Sequence, residues 1–248
     1  MATSKSAPRC AVLFDLDGTL IDFEQLSEEC LNSVLDETAG VGPTTRVTRA
    51  MHASIIGMAK ADWSRSLLKQ LSIPEDVLAP EAFSAGWAAH MARRYDELRL
   101  MPGTADVVRG LTQRGVPMAI ATSSDRPQCE AKLATHAETL REPMGAVVCG
   151  NEVARGKPQP DIFIAAAAKL AAAMGVEAIP PGNCVVVEDS PFGAQAGIAA
   201  GMVTVFVGDK RFMDEAALAR VPAEAIRVDS LADLLPVVDR MLGAAATA

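Results

Sequence analysis

Two carboxylates spaced two apart, Asp15 and Asp17, stand where the apolar run Ala11-Val12-Leu13-Phe14 stops, and Gly18 then permits a tight turn. In a parallel α/β sheet, ligands bind beyond the carboxyl ends of the strands, so these acids would sit on the floor of a crevice with no room to spread apart. Crowded carboxylates repel, and a divalent hard cation is the commonest relief. A β-turn made from Asp and Gly is the plain alternative for the same residues. A second acid pair, Glu188-Asp189, closes a second apolar run, Val185-Val186-Val187, and carboxylates beside three valines are hard to explain as solubility alone. Between the two pairs, Met118-Ala119-Ile120-Ala121 runs into Thr122-Ser123-Ser124, whose hydroxyls and N–H groups at the start of a helix offer an anion site and, equally, a helix cap. Lys157, in Gly156-Lys157-Pro158-Gln159-Pro160-Asp161, reads by itself as a solvated charge, yet two prolines restrict where it points.

These groups need a scaffold, and the apolar pattern supplies one. Strands are expected at Ala11–Phe14, Val116–Ala121, Ala146–Cys149, Cys184–Val187 and Val203–Val207, alternating with helices from Thr104 onward. One such helix carries the stripe Phe163, Ala167, Leu170 and Met174, whose small neighbours allow close approach to a sheet. From Glu24 to about Leu98 the period changes: Leu26, Cys30, Val34 and Leu35, then Leu67, Leu68 and Leu71, recur at helical spacing. Gly40-Val41-Gly42-Pro43, Ser72-Ile73-Pro74 and Pro80 punctuate this stretch, the last before a helix through Trp87, Met91 and Tyr95. The expectation is an α/β fold: a doubly wound, parallel-sheet, Rossmann-like core over residues 1–22 and 99–248, with an all-helical domain inserted over 23–98. Large apolar residues at helical spacing are usually core, so Met58, Trp63 and Trp87 are read as packing. His52, His90 and His136 lack ligand spacing and are read as structural or surface groups.

Composition narrows the function. Half of the 248 residues are hydrophobic, enough to bury a large core, and a net charge of −8 leaves no basic surplus to meet the phosphates of a nucleic acid. The five cysteines are odd in number, scattered and never in a Cys-x-x-Cys pair, which suggests buried free thiols rather than disulfides or zinc. No apolar run reaches membrane length and Met1–Pro8 is polar, so the expected setting is cytoplasmic, without membrane or nucleic acid partners. A short organelle-targeting role for the tail stays open.

Taken in order, an acid pair, a hydroxyl, a lysine and a second acid pair resemble the four motifs of the haloacid dehalogenase superfamily of phosphotransferases. Asp15-Leu16-Asp17-Gly18-Thr19 matches the first, Thr122 the second, Lys157 the third and Glu188-Asp189 the fourth. The helical insert resembles the family's first cap class, as in the β-phosphoglucomutase type. Leu100-Met101-Pro102-Gly103 and Val187-Glu188-Asp189-Ser190 look most like the phosphatases of pseudouridine monophosphate, FMN or glycerol phosphate. The resemblance implies a magnesium-dependent phosphomonoesterase, acting as a monomer on a small phosphorylated metabolite such as a nucleotide, flavin, sugar or polyol phosphate. A phosphomutase using the same phospho-aspartate is the alternative. Asp15 is implied as nucleophile and Asp17 as acid and base, an acid at that position being the mark of members that act on phosphate esters rather than halides. Thr122, Ser123 and Lys157 are implied as phosphate ligands. Asp15, Asp189, the backbone carbonyl of Asp17 and the neighbouring Glu188 are implied around Mg2+. Lys60 and Arg65 are expected as cap residues bearing on specificity. Two positions depart from the family pattern: Phe23 replaces the hydroxyl residue common in the hinge, and Met58 replaces a lysine after the glycine aligned with Gly57.

Overall fold

The structure is a computed structural model, and it describes residues 6–55, 62–213 and 215–244. Its contacts divide the chain into two units: Met1–Ile21, Leu100–Gly208 and Glu215–Ala248 form the first, Asp22–Arg99 with Asp209–Asp214 the second.

The first unit is built on six parallel strands, β1 (Ala11–Phe14), β2 (Met118–Thr122), β3 (Ala146–Cys149), β4 (Cys184–Glu188), β5 (Val203–Phe206) and β6 (Ile226–Arg227), in the order β3-β2-β1-β4-β5-β6. Strand order reverses on either side of β1, so the carboxyl end of β1 lies at the topological switch point where open parallel sheets bind ligands. Every residue of β1, β2, β3 and β4 is buried, as expected of strands covered on both faces. On one face Ala11, Leu13, Ala119, Ala121 and Val148 pack against Phe163, Ala166, Ala167 and Leu170 of the long helix Asp161–Met174. Its alanines bring that helix close to the sheet and so fix the loop that leads into it.

Strand β2 begins two residues later than the apolar pattern suggests. The Val116 N–H bonds Leu111 O, closing the helix Thr104–Gln113 through Gly115 at φ +66°, and Pro117 has no N–H to give a ladder. The short β6 leaves no apolar run in the sequence and was not expected.

The second unit is helical: α1 (Phe23–Glu37), α2 (Arg49–Ile55), α3 (Trp63–Gln70) and α4 (Pro80–Arg93). Leu31, Leu35, Leu67, Leu68 and Phe83 form its core, and Trp63 and Trp87 pack against it, their rings 5.4 Å apart and edge to face. Val34 of α1 lies so close to α4 that a Cβ on Gly86 would meet its methyl groups at 3.1 Å. Helix α4 stops at Arg93, short of Tyr95, which lies in a separate 3-10 turn. Arg94, at φ −123°, leaves the helical backbone and bonds Glu29 and Glu97. Asp209–Asp214 joins this unit from a distant part of the chain: Arg211 bonds both carboxylate oxygens of Asp22, and the Phe212 ring meets His52 edge to face at 5.6 Å.

Candidate active site

Parallel register carries the ends of β1, β2 and β4 to one edge of the sheet. Phe14 stands opposite Ile120 and Val187, and the Asp15 N–H still bonds Val187 O at 2.9 Å, so Asp15 projects from the last rung of the ladder beside Glu188. Lys157 reaches the same spot from the loop before the helix Asp161–Met174. Its Nζ lies 2.5 Å from Asp15 Oδ1, 2.5 Å from Glu188 Oε1 and 3.2 Å from Ala121 O, and 5.2 Å from the centre of the Phe163 ring. Lysine and both acids are buried.

Burial pushes the Asp15 carboxyl up to about 7; the Lys157 ammonium opposes this, and the Glu188 and Asp17 carboxylates add to it. For Lys157, burial disfavours the charge, but Asp15 and Glu188 outweigh it and raise the ammonium above its ordinary value.

Glu188 is folded back on the start of the helix Pro191–Ala199. Its Oε2 accepts bonds from Asp189 N at 3.1 Å and from Ser190 N and Oγ at 3.0 Å each, while Ser190 Oγ caps the helix by accepting from Gly193 N. Asp189 is held from the other side, with Thr19 Oγ1 donating to its Oδ1 at 3.1 Å. A Cβ on Gly18, which has φ +83°, would fall 2.2 Å from Asp189 Oδ2, so only glycine permits both the turn and the approach. One oxygen from each of Asp15, Glu188 and Asp189 lies within 4.8 Å of the others. Three hard oxygen donors on buried side chains, carrying more negative charge than one lysine offsets, fit a magnesium-type cation.

Asp17 belongs to a different set of partners. Lys132 Nζ bonds both of its carboxylate oxygens at 2.8 Å, and Ser124 Oγ donates to Oδ2 at 2.7 Å. The helix that carries Lys132, Arg126–Ala134, takes Asp125 at its N-cap position, so Ser123 and Ser124 are not its caps. Thr122 is buried and its Oγ1 accepts the Ser124 N–H at 3.1 Å, while the Ser123 carbonyl presses on Gly150, where a Cβ would lie 2.3 Å away. That contact fixes the backbone of the Thr122–Ser124 loop.

The structure therefore gathers Asp15, Asp17, Thr122, Ser123, Lys157, Glu188 and Asp189 within one unit. It adds Lys132 and Thr19, which sequence reasoning did not name as site residues, and it gives the Ser124 hydroxyl Asp17 as its partner. Lys132 left one trace: it lies at the helical phase of Cys129 and Leu133, both buried, where a lysine is out of place. Arg65, on α3, is exposed and engages Glu75 and Glu81 in ion pairs. Lys60, Gly57 and Met58 lie outside the described residues. His52 is buried beside Ser27 and Glu24, and His90 contacts Glu37.

A family model described as haloacid dehalogenase-like hydrolase matches residues 11–201. The chain belongs to that family. The matched stretch takes in both acid pairs, Thr122 and Lys157 of this hydrolase. The hydrolase is 32% identical over 206 residues to a probable pseudouridine-5'-phosphatase of Drosophila melanogaster, covering 82% of this chain and 83% of the relative. It is 30% identical over 207 residues to a bifunctional riboflavin kinase/FMN phosphatase of Arabidopsis thaliana, covering 84% of this chain but spanning only half the length of that relative. Among solved structures, a haloacid dehalogenase family hydrolase of Deinococcus radiodurans R1, with bound phosphate and sodium, superposes with a TM-score of 0.69 at 29% identity, covering 95% of this chain and 97% of the other. No helix among the described residues is long and apolar enough to cross a membrane.

Proposed function

We propose that this hydrolase is a magnesium-dependent phosphomonoesterase of small phosphorylated metabolites, working through an aspartyl-phosphate on Asp15. The observation that carries this reading is the contact of Asp15 with Lys157 and Glu188 at the switch point of the sheet, beside Asp189. A carboxylate there is a nucleophile rather than a solubilising charge: it is buried, aimed outward from a rigid strand, and held by a cation.

The Asp15 and Asp189 carboxylates and the Asp17 carbonyl would hold the magnesium ion. Bound there, it offsets the repulsion between the nucleophile and an incoming phosphoryl anion. Glu188, whose Oε2 is held by three donors and whose Oε1 contacts Lys157, would stand beside the ion. Asp15 forms a bond to phosphorus as the ester P–O bond breaks, and Asp17 gives its proton to the departing oxygen. Water then attacks phosphorus, Asp17 takes a proton from it, and the P–O bond to Asp15 breaks, releasing inorganic phosphate. Lys157, the Thr122 hydroxyl and the Ser123 N–H bind the phosphoryl oxygens throughout. The helical unit acts as the family's cap and chooses the leaving group.

Nucleotide and flavin monophosphates come first among the candidate substrates, with sugar and polyol phosphates next, an order that the names of two relatives support. A hydrolysis screen over pseudouridine monophosphate, FMN, glycerol phosphate, sugar phosphates and phosphoglycolate, with and without magnesium, tests this reading. Steady release of inorganic phosphate, without a bisphosphate activator and without isomer formation, is the expected result. Quantitative isomerisation that depends on a bisphosphate would make the protein a mutase, and full activity in excess chelator would remove the metal from the scheme.

A further inference from the structure

The two aspartates of the first motif are held by two different lysines, and the roles above use only one. Lys132 Nζ bonds Asp17 Oδ1 and Oδ2 at 2.8 Å each and Ser124 Oγ at 2.9 Å, so its three N–H donors meet three acceptors. Ser124 Oγ in turn donates to Asp17 Oδ2 at 2.7 Å. Lys132 is only 2% exposed, whereas Asp17 keeps 19% of its side chain open to solvent. The ammonium thus grips the acid from the protein side and leaves its other side accessible.

Placing a lysine inside a fold costs several kcal/mol of lost hydration, and a well-packed apolar side chain of similar size would serve stability at least as well. Stability alone is therefore a poor reason for a lysine among Cys129 and Leu133. Its effect on Asp17 is geometric. The torsion that turns a carboxylate about its own axis is broad and weakly restrained, and a hold on both oxygens, braced by Ser124, removes that freedom. Proton transfer is sensitive to this orientation, since the acid must present one oxygen to the ester oxygen at hydrogen-bond distance.

We propose that Lys132 is a positioning residue: with Ser124 as brace, it fixes the Asp17 carboxyl group, which when protonated gives its proton to the leaving group and as carboxylate takes one back from the attacking water. This rests on the reading of Asp17 as the acid and base of the reaction. Lys132 touches neither phosphate nor metal in this scheme and acts on the reaction through Asp17.

The test compares p-nitrophenyl phosphate, whose leaving group departs without a proton, with the alkyl monophosphate turned over best in the substrate screen. Lys132→Met should lower kcat/KM for the alkyl ester by about 10²-fold, the scale expected when a reacting group is misplaced, and leave p-nitrophenyl phosphate much less affected. Lys132→Arg, which keeps a cation on the carboxylate, should recover part of the loss. In an Asp17→Asn background, Lys132→Met should cost nothing further, because the residue it acts through is already disabled. Ser124→Ala gives the same leaving-group signature in smaller degree, and as a substitution at a partly exposed position it keeps the test alive if Lys132→Met fails to fold. Equal losses on both esters, wild-type rates on the alkyl ester, or independent losses in the double variant would overturn the proposal. The two readings fail separately: an Asp17→Asn variant blind to the leaving group removes the acid role of Asp17, whereas a sensitive Asp17→Asn beside an insensitive Lys132→Met removes only the role of Lys132.

Discussion

Glu188 fills the space that a side chain at Gly193 would need: a Cβ there would lie 1.9 Å from the Glu188 carboxyl carbon. The absence of one methyl group on a helix thus decides where a buried acid of the site can lie, and through it where Lys157 can lie.

Gly193→Ala should therefore displace Glu188 and loosen Lys157, although residue 193 touches no substrate in the proposed scheme. Overpacking of this kind costs about 1–3 kcal/mol, and kcat should fall with it. Denaturant unfolding and initial rates measured together check the point; a variant with wild-type kcat would show that Glu188 does not need its present place.

Asp15→Asn should reduce phosphate release by about 10⁴-fold or more, because an amide cannot form the acyl phosphate. The same change should alter the pH dependence of stability in the metal-free protein. The Asp15 carboxyl, at about 7 in the fold, lies above its ordinary 3.8, so its protonated form favours folding. That contribution is complete below pH 3.8 and is lost as pH rises through 7. In chelator, the wild-type Tm should decline between pH 4 and 8, and Asp15→Asn should decline less. Parallel curves for the two proteins would count against a strained Asp15.

Magnesium should relieve the crowding of Asp15, Glu188 and Asp189, raising the Tm and restoring activity lost to EDTA. Calcium should inhibit, since its larger and looser coordination misplaces the nucleophile. Asp189→Ala removes a ligand of the proposed site, and Gly18→Ala drives a Cβ into Asp189 Oδ2; both should raise the magnesium concentration for half-maximal activity. Magnesium titrations of the two variants decide this, and an unchanged requirement in Asp189→Ala would place the ion elsewhere.

All five cysteines are free and buried, and burial pushes the Cys10 and Cys184 thiols up to about 11. Thiolate is the reactive form, so a chromogenic disulfide reagent at pH 8 should leave the native protein almost untouched and titrate it fully once it is unfolded. Rapid reaction of any thiol in the native state would reveal an opening that the fold does not show.

The apolar runs ending in Asp15, Thr122 and Glu188 were legible because a buried parallel strand is a nearly continuous hydrophobic stretch, and an acid or hydroxyl closing it stands out. The prolines beside Lys157 marked only a stiff loop, and its role came from the resemblance to the family. Lys132 was not named, because a lysine on a helix is ordinarily solvated and only its phase against Cys129 and Leu133 marked it as buried. The serine loop left two readings open in sequence, since a cap and an anion site use the same groups; the backbone settled the first by giving the cap position to Asp125. The two-residue β6 has no side-chain pattern of its own and exists only by pairing with β5.

Asp209–Asp214 makes the helical unit discontinuous along the chain. Transplanting Asp22–Arg99 from one relative into another, the exchange that the proposed role of the helical unit suggests, leaves behind the Arg211 that pairs with Asp22 and the Phe212 that meets His52 edge to face. The graft that keeps its own packing has two pieces, and the smaller is the short segment Asp209–Asp214. Exchange of specificity within the family is on this account a matter of recombining matched pairs of segments, and single-segment chimaeras should survive only where the recipient's loop already suits the incoming helices.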